Sequence, residues 1–301
     1  MGKQSALPYG GNTRLQEPAV SLDSLKDKKV GVVLSSGFFG FFAHAGCLQA
    51  LEDRGISVSG YAGSSAGAIV AAFAASGMTA GDIKTVITGL TKEAFWDPEH
   101  PLLTIMAVLR LFRGWHGRLR GDKFRRLLEC ILPVTTFEEL TIPCVIAGTN
   151  LTRKKKQIFT AGSLADAVQA SCTVPWLFKF KRLDEALFID GGLVDKAPVE
   201  AMAHAVRPDV IIVHYLFSRN LTDSDDAFLT QKFSPHKAFT LSVDIARHEH
   251  YRAQKRLVRQ QGIEVIELSV PDLPRVAPDS LEKGEDAFAR AYSYAHDYFS
   301  S

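Results

Sequence analysis

This sequence contains few cysteines and has almost no excess of charge of either sign. The chain has four cysteines, and no two of them have the C-x-x-C spacing. This pattern predicts neither a zinc site nor a disulfide framework, and it is typical of buried thiols in a reducing compartment. The formal net charge at pH 7 is only +2. A charge so close to balance argues against a nucleic-acid partner.

Long hydrophobic runs are also missing. Residues 1–28 are polar and lack the apolar stretch of a secretory signal, and no later run is long enough to span a bilayer. The sequence contains neither an internal repeat nor a linker-like segment. We therefore expect a flexible tail over residues 1–28 and one domain over residues 29–301. The expected location is the cytoplasm, with at most peripheral contact with a membrane.

Strand-like apolar runs alternate with helical patterns from residue 29 onward. The predicted strands lie at residues 29–35, 58–62, 142–148, 186–190, 209–215 and 264–270, and the last two helices at residues 237–261 and 280–299. This alternation predicts an α/β fold, a three-layer α/β/α sandwich with a largely parallel central sheet. The C-terminal helices and strand, over residues 237–300, would pack on the same domain.

Residues 63–67 read Gly-Ser-Ser-Ala-Gly, between a strand-like run and an apolar helix. Strand, tight turn and helix around G-x-S-x-G form a nucleophile elbow, with Ser65 at its apex. The elbow requires glycine at positions 63 and 67, because a Cβ on Gly63 or Gly67 would clash where strand and helix approach each other. The free N–H groups at the helix N-terminus would favour the negative charge of an acyl-transfer intermediate.

Asp190 is the best candidate for the base that a serine nucleophile needs. It ends a predicted strand and precedes Gly191 and Gly192, which places its carboxylate at the carboxyl edge of the sheet. Two arrangements fit these residues. One is a Ser–Asp pair in which the carboxylate takes the proton directly, and the other is a Ser–Asp–His triad through His214.

Four motifs follow one another in a fixed order along the chain. A strand and a glycine loop precede Ala-His-Ala-Gly at residues 43–46, and the elbow follows at residues 63–67. Ala-Ser-Cys-Thr-Val-Pro occupies residues 170–175, and Phe-Ile-Asp-Gly-Gly occupies residues 188–192, with Pro-Val-Glu at residues 198–200. In this order the motifs resemble those of the patatin-like phospholipases.

The resemblance extends over roughly residues 29–215 and implies a catalytic dyad. Ser65 would be its nucleophile and Asp190 its acid, with Gly191 and Gly192 as the motif that follows the acid. The implied activity is hydrolysis of fatty-acyl esters of phospholipids or related lipids through an acyl-enzyme. The resemblance implies neither a metal nor a cofactor.

The glycine loop departs from the family pattern Gly-Gly-Gly-x-Arg/Lys-Gly. Residues 36–41 read Ser-Gly-Phe-Phe-Gly-Phe, so the family's basic residue falls at Gly40 and its charge is missing. An oxyanion hole built from backbone N–H groups does not require glycine. We therefore expect Gly37 and Phe38 as oxyanion donors, with Phe39 and Gly40 as neighbours. The Phe38 N–H would point into the site, with its ring in apolar surroundings.

A second departure lies near the acid. Lys196 stands where the family commonly has asparagine, and a nearby ammonium would lower the pKa of Asp190 and weaken it as a base. Two further hypotheses stay open beside the phospholipase. One is a soluble carboxylesterase with a triad through His214, and the other is a catalytically silent lipid-binding protein on the same fold.

Residues 101–126 combine apolar, tryptophan and basic positions. Nearly continuous apolar residues are followed by Trp115 and by a basic group that includes Arg118, Arg120 and Arg125. A packed helix followed by a solvated basic helix would have this pattern. A segment that docks the protein on an anionic bilayer would have it too.

Overall fold

The computed structural model of the chain describes residues 20–100, 116–218, 221 and 235–300. Most of the predicted tail and the apolar part of the segment 101–126 lie outside these residues. In the part that is described, a central sheet is covered by helices on both faces, as the sequence predicted.

The central sheet is mixed, with a parallel majority. The strands of the described chain are β1 (Val20–Ser21), β2 (Val30–Leu34), β3 (Val58–Ser64), β4 (Gly117–Leu119), β5 (Cys144–Asn150), β6 (Lys155–Phe159), β7 (Trp176–Phe178), β8 (Lys181–Leu183), β9 (Ala186–Ile189), β10 (Val210–His214), β11 (Glu264–Leu268) and β12 (Phe299–Ser300). The order in the sheet is β11-β10-β2-β3-β5-β9-β8, with β6 paired to β5. The strands from β11 to β5 are parallel, and β6, β9 and β8 pair in antiparallel fashion.

Helices connect these strands and cover the sheet. Those described are α1 (Phe41–Asp53), α2 (Ala66–Ala75), α3 (Ala80–Thr88), α4 (Lys92–Phe95), α5 (Asp122–Ile131), α6 (Leu164–Ser171), α7 (Val199–Val206), α8 (Pro235–Gln260) and α9 (Gly284–Tyr298). Their starts follow from local sequence. At α3, for example, Thr79 and Asp82 form a reciprocal capping box that satisfies two N–H groups at the helix start.

Alternate residues of the parallel strands pack on opposite faces of the sheet, because successive side chains of a strand point in opposite directions. In β10, Val210 and Ile212 join a core with α1, α2 and α9, whereas Ile211 and Val213 join a second core with α7 and α8. Burial on both faces is what a parallel sheet covered by helices requires. It explains why these strands are almost continuously apolar in the sequence.

The structure differs from the sequence prediction at the edges of the fold. Residues 20–28, expected to belong to a flexible tail, take part in it: β1 pairs with β12, and Leu25 is buried in the core. The predicted last helix also ends one residue early, because Phe299 begins β12. The sequence missed β4, β7 and β8, since strands of three residues carry too little periodicity to be recognised.

The structure describes the C-terminal part of the segment 101–126. Arg118 lies on β4, and Arg125 lies on α5, where it forms ion pairs with Asp166 and Glu129. The charge of Arg125 is therefore already paired within the protein. Across the described ranges, every helix is too short or too polar to cross a bilayer.

Candidate active site

Ser65 occupies a tight turn between β3 and α2. Its backbone has φ 54° and ψ −121°, which is strained for a residue with a side chain. A Cβ on Gly63 would lie 2.3 Å from the Gly67 carbonyl oxygen, and a Cβ on Gly67 would lie 2.1 Å from the Leu34 carbonyl oxygen. Only glycine fits these two positions, as the sequence predicted. The turn presents Ser65 at the N-terminus of α2, where the first N–H groups have no partner within the helix.

Asp190 directly follows β9, and its backbone is held from two sides. Its N–H donates to the Thr173 carbonyl oxygen over 2.8 Å, and its carbonyl oxygen accepts from the Thr149 hydroxyl over 2.8 Å. The Gly192 N–H donates to Oδ1 of the carboxylate over 2.8 Å and so orients the side chain. Gly191 has no room for a side chain, since a Cβ there would lie 2.0 Å from a carbonyl oxygen of β5.

The two candidate residues are in direct contact. The Ser65 hydroxyl donates to Oδ2 of Asp190 over 2.6 Å. Burial raises the pKa of Asp190 above its ordinary value, while the hydrogen bonds from Ser65 and Gly192 and the charges of Arg247 and Lys196 lower it. The expected effect of Lys196 on this pKa has the predicted sign, but burial outweighs it. A carboxylate with a raised pKa is a stronger base, which suits it to take the hydroxyl proton.

Three consecutive residues at the end of α6 hold both Ser65 and Asp190. The Ser65 N–H donates to the Ser171 hydroxyl oxygen over 2.8 Å, and the Cys172 thiol donates to the Ser65 carbonyl oxygen over 3.2 Å. The next residue, Thr173, accepts the bond from the Asp190 N–H. This segment therefore sets the separation between the hydroxyl and the carboxylate.

The glycine loop follows β2 and closes a turn of its own. The Gly40 N–H donates to the Gly37 carbonyl oxygen over 2.9 Å, so Gly40 has no N–H left for a ligand. Within the described chain no acceptor meets the N–H groups of Gly37 and Phe38, and both residues line the cavity beside Ser65. Phe39 has the left-handed φ of 53°. The Phe38 ring contacts the Phe39 ring but is 56% exposed, which is more than predicted.

A large apolar cavity opens beside Ser65. Its empty volume is about 880 Å³, including the space at its mouth. Aromatic and aliphatic side chains from the glycine loop, α2, α3, the end of α4, β4, α5 and β7 form most of its wall. They include Phe39, Ile69, Val86, Trp96, Leu119 and Phe178. These residues are far apart in the sequence and come together through the fold.

His214 ends β10 and is fully buried against His44. Nδ1 of one ring lies 2.8 Å from Nδ1 of the other, and His44 Nε2 donates to the Ser35 carbonyl oxygen over 2.8 Å. Burial lowers the pKa of His44 to about 4 and that of His214 well below its ordinary value, so both rings are neutral. Among the described residues, the hydrogen bond of the His214 ring is made with the His44 ring. No hydrogen bond joins the His214 ring to Ser65 or Asp190.

A known protein family matches the part of the chain that carries these residues. The family model of patatin-like phospholipases matches residues 32–203, which is more than half of the chain and includes Ser65, Ser171 and Asp190. The chain belongs to the patatin-like phospholipase family. The match ends within α7, so the helices α8 and α9 lie beyond it.

Two relatives of this chain are longer than it is. An uncharacterized NTE family protein of Mycobacterium tuberculosis is 32% identical over 184 residues, which are 61% of this chain and 48% of that protein. A lysophospholipase of Cryptococcus neoformans is 26% identical over 186 residues, which are 62% of this chain and 11% of that protein. The chain thus spans about half, or less, of the length of these relatives.

A solved structure of VipD from Legionella pneumophila has the same fold. The two structures superpose with a TM-score of 0.50 at 15% sequence identity, over 90% of this chain and 66% of that chain. At this identity the likeness concerns the fold alone. It supports the mixed sheet flanked by helices that surrounds the patatin-like site.

Of the predicted site residues, the structure brings Ser65, Asp190 and Gly192 into one hydrogen-bonded group. Gly40, expected as a neighbour of the oxyanion donors, has a structural role in the loop turn. Sequence reasoning missed Arg247, which lies on the polar helix α8 beyond the patatin-like match. Local sequence does not distinguish this arginine from solvent-exposed charges on the same helix.

Ser171→Ala tests whether the end of α6 positions the nucleophile. The change leaves the Ser65 N–H without its acceptor, so we expect the free energy of unfolding to fall by about 1–3 kcal/mol. Labelling of Ser65 by a fluorophosphonate should slow by about tenfold, because small displacements of a reacting atom are costly. Denaturant unfolding and the labelling rate measure the two effects.

Ser76→Ala is the matched control for this experiment. The Ser76 hydroxyl is also buried, but it donates to the Ala72 carbonyl oxygen, which accepts the Ser76 N–H as well. Its removal leaves no group unbonded, and we expect normal labelling. A folded Ser171→Ala protein that is labelled at the wild-type rate would contradict the positioning role.

Proposed function

We propose that this patatin-like chain hydrolyses fatty-acyl esters of phospholipids or related lipids, with Ser65 as nucleophile and Asp190 as base. The observation that carries the proposal is the 2.6 Å hydrogen bond from the Ser65 hydroxyl to the Asp190 carboxylate. The strained turn at Ser65 and the apolar cavity beside it support the same conclusion. Family membership supports the reaction class, and the name of the Cryptococcus relative supports a phospholipid-type substrate.

The proposed reaction has two halves. Ser65 Oγ bonds to the acyl carbon while its proton moves to Asp190, and the resulting tetrahedral intermediate collapses as the alcohol portion departs with that proton. Water then attacks the acyl-enzyme and gives a proton to Asp190. The second intermediate releases the fatty acid, and the proton returns to Ser65 Oγ. Asp190 thus acts as base in each attack and as acid in each collapse.

The oxyanion of each intermediate needs donors that are already in place. The Gly37 and Phe38 N–H groups are the proposed donors, together with the N-terminus of α2, because they line the cavity and have no acceptor within the described chain. Phe39 completes the loop as their neighbour. The Ser65 N–H is excluded from this set, since it is bonded to Ser171.

The cavity suits a fatty-acyl chain. Its polar surface is almost absent, whereas its walls are aromatic and aliphatic, so a flexible apolar chain would be removed from water along most of its length. Ser65 lies in the wall, so its hydroxyl would meet the ester carbonyl of a chain held in the cavity. This argument favours a fatty-acyl ester over a small polar ester as substrate.

The sequence is also compatible with two other functions. A triad through His214 gains no support, because the neutral His214 ring is bonded to His44. A catalytically silent lipid-binding protein is the second candidate, and the exposed Phe38 in the altered glycine loop favours it. Fluorophosphonate labelling distinguishes it from an enzyme, because only an activated serine reacts.

Contact with an anionic lipid surface is part of the proposal. In β4, Leu119 lines the cavity while Arg118 is exposed on the other side of the strand, with its guanidinium 5.7 Å from the centre of the Trp96 ring. The Arg120 side chain is exposed next to it, with Nε 3.8 Å from the carboxylate of the similarly exposed Asp122. Basic groups beside an apolar opening are suited to anionic head groups.

Substitution of the dyad tests the proposed reaction. Ser65→Ala should abolish hydrolysis of a fatty-acyl ester, because no nucleophile remains. Asp190→Asn keeps the size of the side chain but removes the base, and should lower kcat by at least about a hundredfold. Ser64→Ala is the matched control: the Ser64 hydroxyl is buried without a partner in the described chain, so its loss should leave turnover near normal.

The outcomes are distinct. Near-normal turnover of Asp190→Asn would show that the carboxylate is not the base. Loss of turnover in Ser64→Ala, with Ser65→Ala still active, would show that the other serine of the elbow is the nucleophile. An unlabelled, inactive wild-type protein would favour the silent lipid-binding protein.

Val86→Phe tests the cavity as the acyl site. Val86 is half-buried on α3 and lines the cavity, so a phenyl ring there should occupy part of the space. We expect kcat/KM for long-chain p-nitrophenyl esters to fall by about tenfold relative to the acetate ester, the lower limit for one misplaced methylene in an apolar pocket. Thr85→Phe, on the exposed side of the same helix, is the control. An unchanged chain-length profile in Val86→Phe would contradict this location for the acyl chain.

Arg118→Gln combined with Arg120→Gln tests the lipid surface. Vesicle binding by the wild type should rise with anionic lipid content and fall with salt, because salt screens exposed charges. The double variant should bind anionic vesicles more weakly and hydrolyse a short soluble ester normally. Arg252→Gln combined with Arg256→Gln, on α8, controls for total charge. Equal vesicle binding by the Arg118/Arg120 variant and the wild type would refute the docking hypothesis.

A further inference from the structure

Ser36 precedes the glycine loop and is buried, and all of its polar atoms are bound by two cationic residues. Its N–H donates to the Lys196 carbonyl oxygen over 2.7 Å, and its carbonyl oxygen accepts from Lys196 Nζ over 3.3 Å. Its hydroxyl oxygen accepts from Arg247 Nη2 over 3.0 Å. The loop that carries Gly37 and Phe38 is therefore anchored at its first residue by Lys196 and Arg247.

Arg247 reaches this anchor from α8, outside the span that matches the family. Its side chain is only 17% exposed, and Nη1 pairs with Oδ1 of Asp244 over 3.3 Å. Its buried Nε has no hydrogen-bond partner in the described part of the chain. Burial of a guanidinium is unfavourable unless its donors are bonded. Stability of the fold alone therefore does not explain why an arginine occupies this position.

The loop itself carries no charged side chain, and a side chain at Gly40 would collide with Leu216. Residues 36–41 contain no ionisable side chain. A Cβ on Gly40 would lie 2.2 Å from Cδ1 of Leu216, and Leu216 is held by its N–H, which donates to the Ser35 hydroxyl over 2.8 Å. Positive charge can reach this loop only from other elements, and Arg247 brings it to the loop's first residue.

We propose that Arg247 is a positioning residue of this site, which anchors the glycine loop through Ser36 and brings a positive charge close to the Asp190 carboxylate. The inference rests on the proposed hydrolase function and concerns how the dyad is tuned. Ser36 connects the two effects, because a Cβ on Gly192 would lie 2.3 Å from the Ser36 hydroxyl oxygen, and the Gly192 N–H holds the Asp190 carboxylate.

The charges around Asp190 determine the sign of the effect. Burial raises the pKa of Asp190, and Arg247 and then Lys196 lower it. Burial and the nearby Arg247 lower the pKa of Lys196 to about 7, against the attraction of Asp244 and Asp190, so Lys196 loses charge near neutral pH. Burial raises the pKa of Cys172, which stays a neutral thiol. The guanidinium of Arg247 supplies the other positive charge beside Asp190.

The test is the pH dependence of kcat/KM for a soluble short-chain ester, because its acid limb reports the ionisation of the base in the free enzyme. Arg247→Gln removes the charge, so the pKa of Asp190 should rise and the acid limb should move to higher pH by about one unit, the lower end of the effect of a neighbouring charge. On that limb kcat/KM would fall by about tenfold. Arg247→Lys keeps the charge and should restore most of the wild-type profile.

Arg252→Gln is the matched control, since Arg252 is exposed on the same helix and pairs only with Glu249 among the described contacts. A uniform loss of kcat/KM in Arg247→Gln with an unmoved acid limb, and no recovery in Arg247→Lys, would overturn the proposal. If Arg247→Gln does not fold, Ser36→Ala decides: loss of the hydroxyl that accepts from Arg247 Nη2 should release the guanidinium from the loop and move the acid limb to higher pH, and an unmoved limb overturns the inference. A wild type without hydrolysis or labelling would overturn both this inference and the proposed function, whereas an unmoved limb in an active enzyme would overturn this inference alone.

Discussion

The strained turn at Ser65 is the constraint on which the site depends. A backbone held at φ 54° and ψ −121° costs about 1–3 kcal/mol and persists only where its surroundings impose it. Here the close approach of β3, α2 and β2 at Gly63 and Gly67 imposes it. The Ser65 N–H donates to the Ser171 hydroxyl oxygen and the Ser65 carbonyl oxygen accepts from the Cys172 thiol, and these two bonds hold the same backbone on its other side. The Ser65 hydroxyl is therefore held in a position from which it can donate to the Asp190 carboxylate, which follows β9.

Burial and charge oppose each other at the carboxylate. A proton acceptor gains basicity when it is buried, but it must still be ionised at the working pH. Asp190 is buried, which raises its pKa, and two donors and two cations act against that rise. A base without those cations would be stronger but more often protonated. The proposed dyad thus needs the positive charge of Arg247 and Lys196 as much as it needs burial.

The sequence predicted the fold and pointed to Ser65 and Asp190 as candidates for physical reasons that are local. Parallel strands buried on both faces are apolar throughout, and an elbow requires glycine at Gly63 and Gly67, so both leave patterns within a few residues. The short strands β4 and β7 leave no such pattern. The partner of Ser171, the wall of the cavity and the role of Arg247 depend on contacts between segments far apart in the chain, and no local pattern encodes them.

The glycine loop shows most clearly that residues far apart in the sequence can act at the same place in the fold. The sequence of the loop contains no basic residue, and that absence favours a catalytically silent lipid-binding protein. In the fold, Leu216 fills the space at Gly40, while the guanidinium of Arg247 binds the loop at Ser36. An electrostatic requirement is met by any residue that brings the charge to the right place, because the field at a carboxylate depends on distance and dielectric and not on sequence. The missing basic residue is therefore weak evidence against catalysis, and the arginine on α8 is the stronger observation.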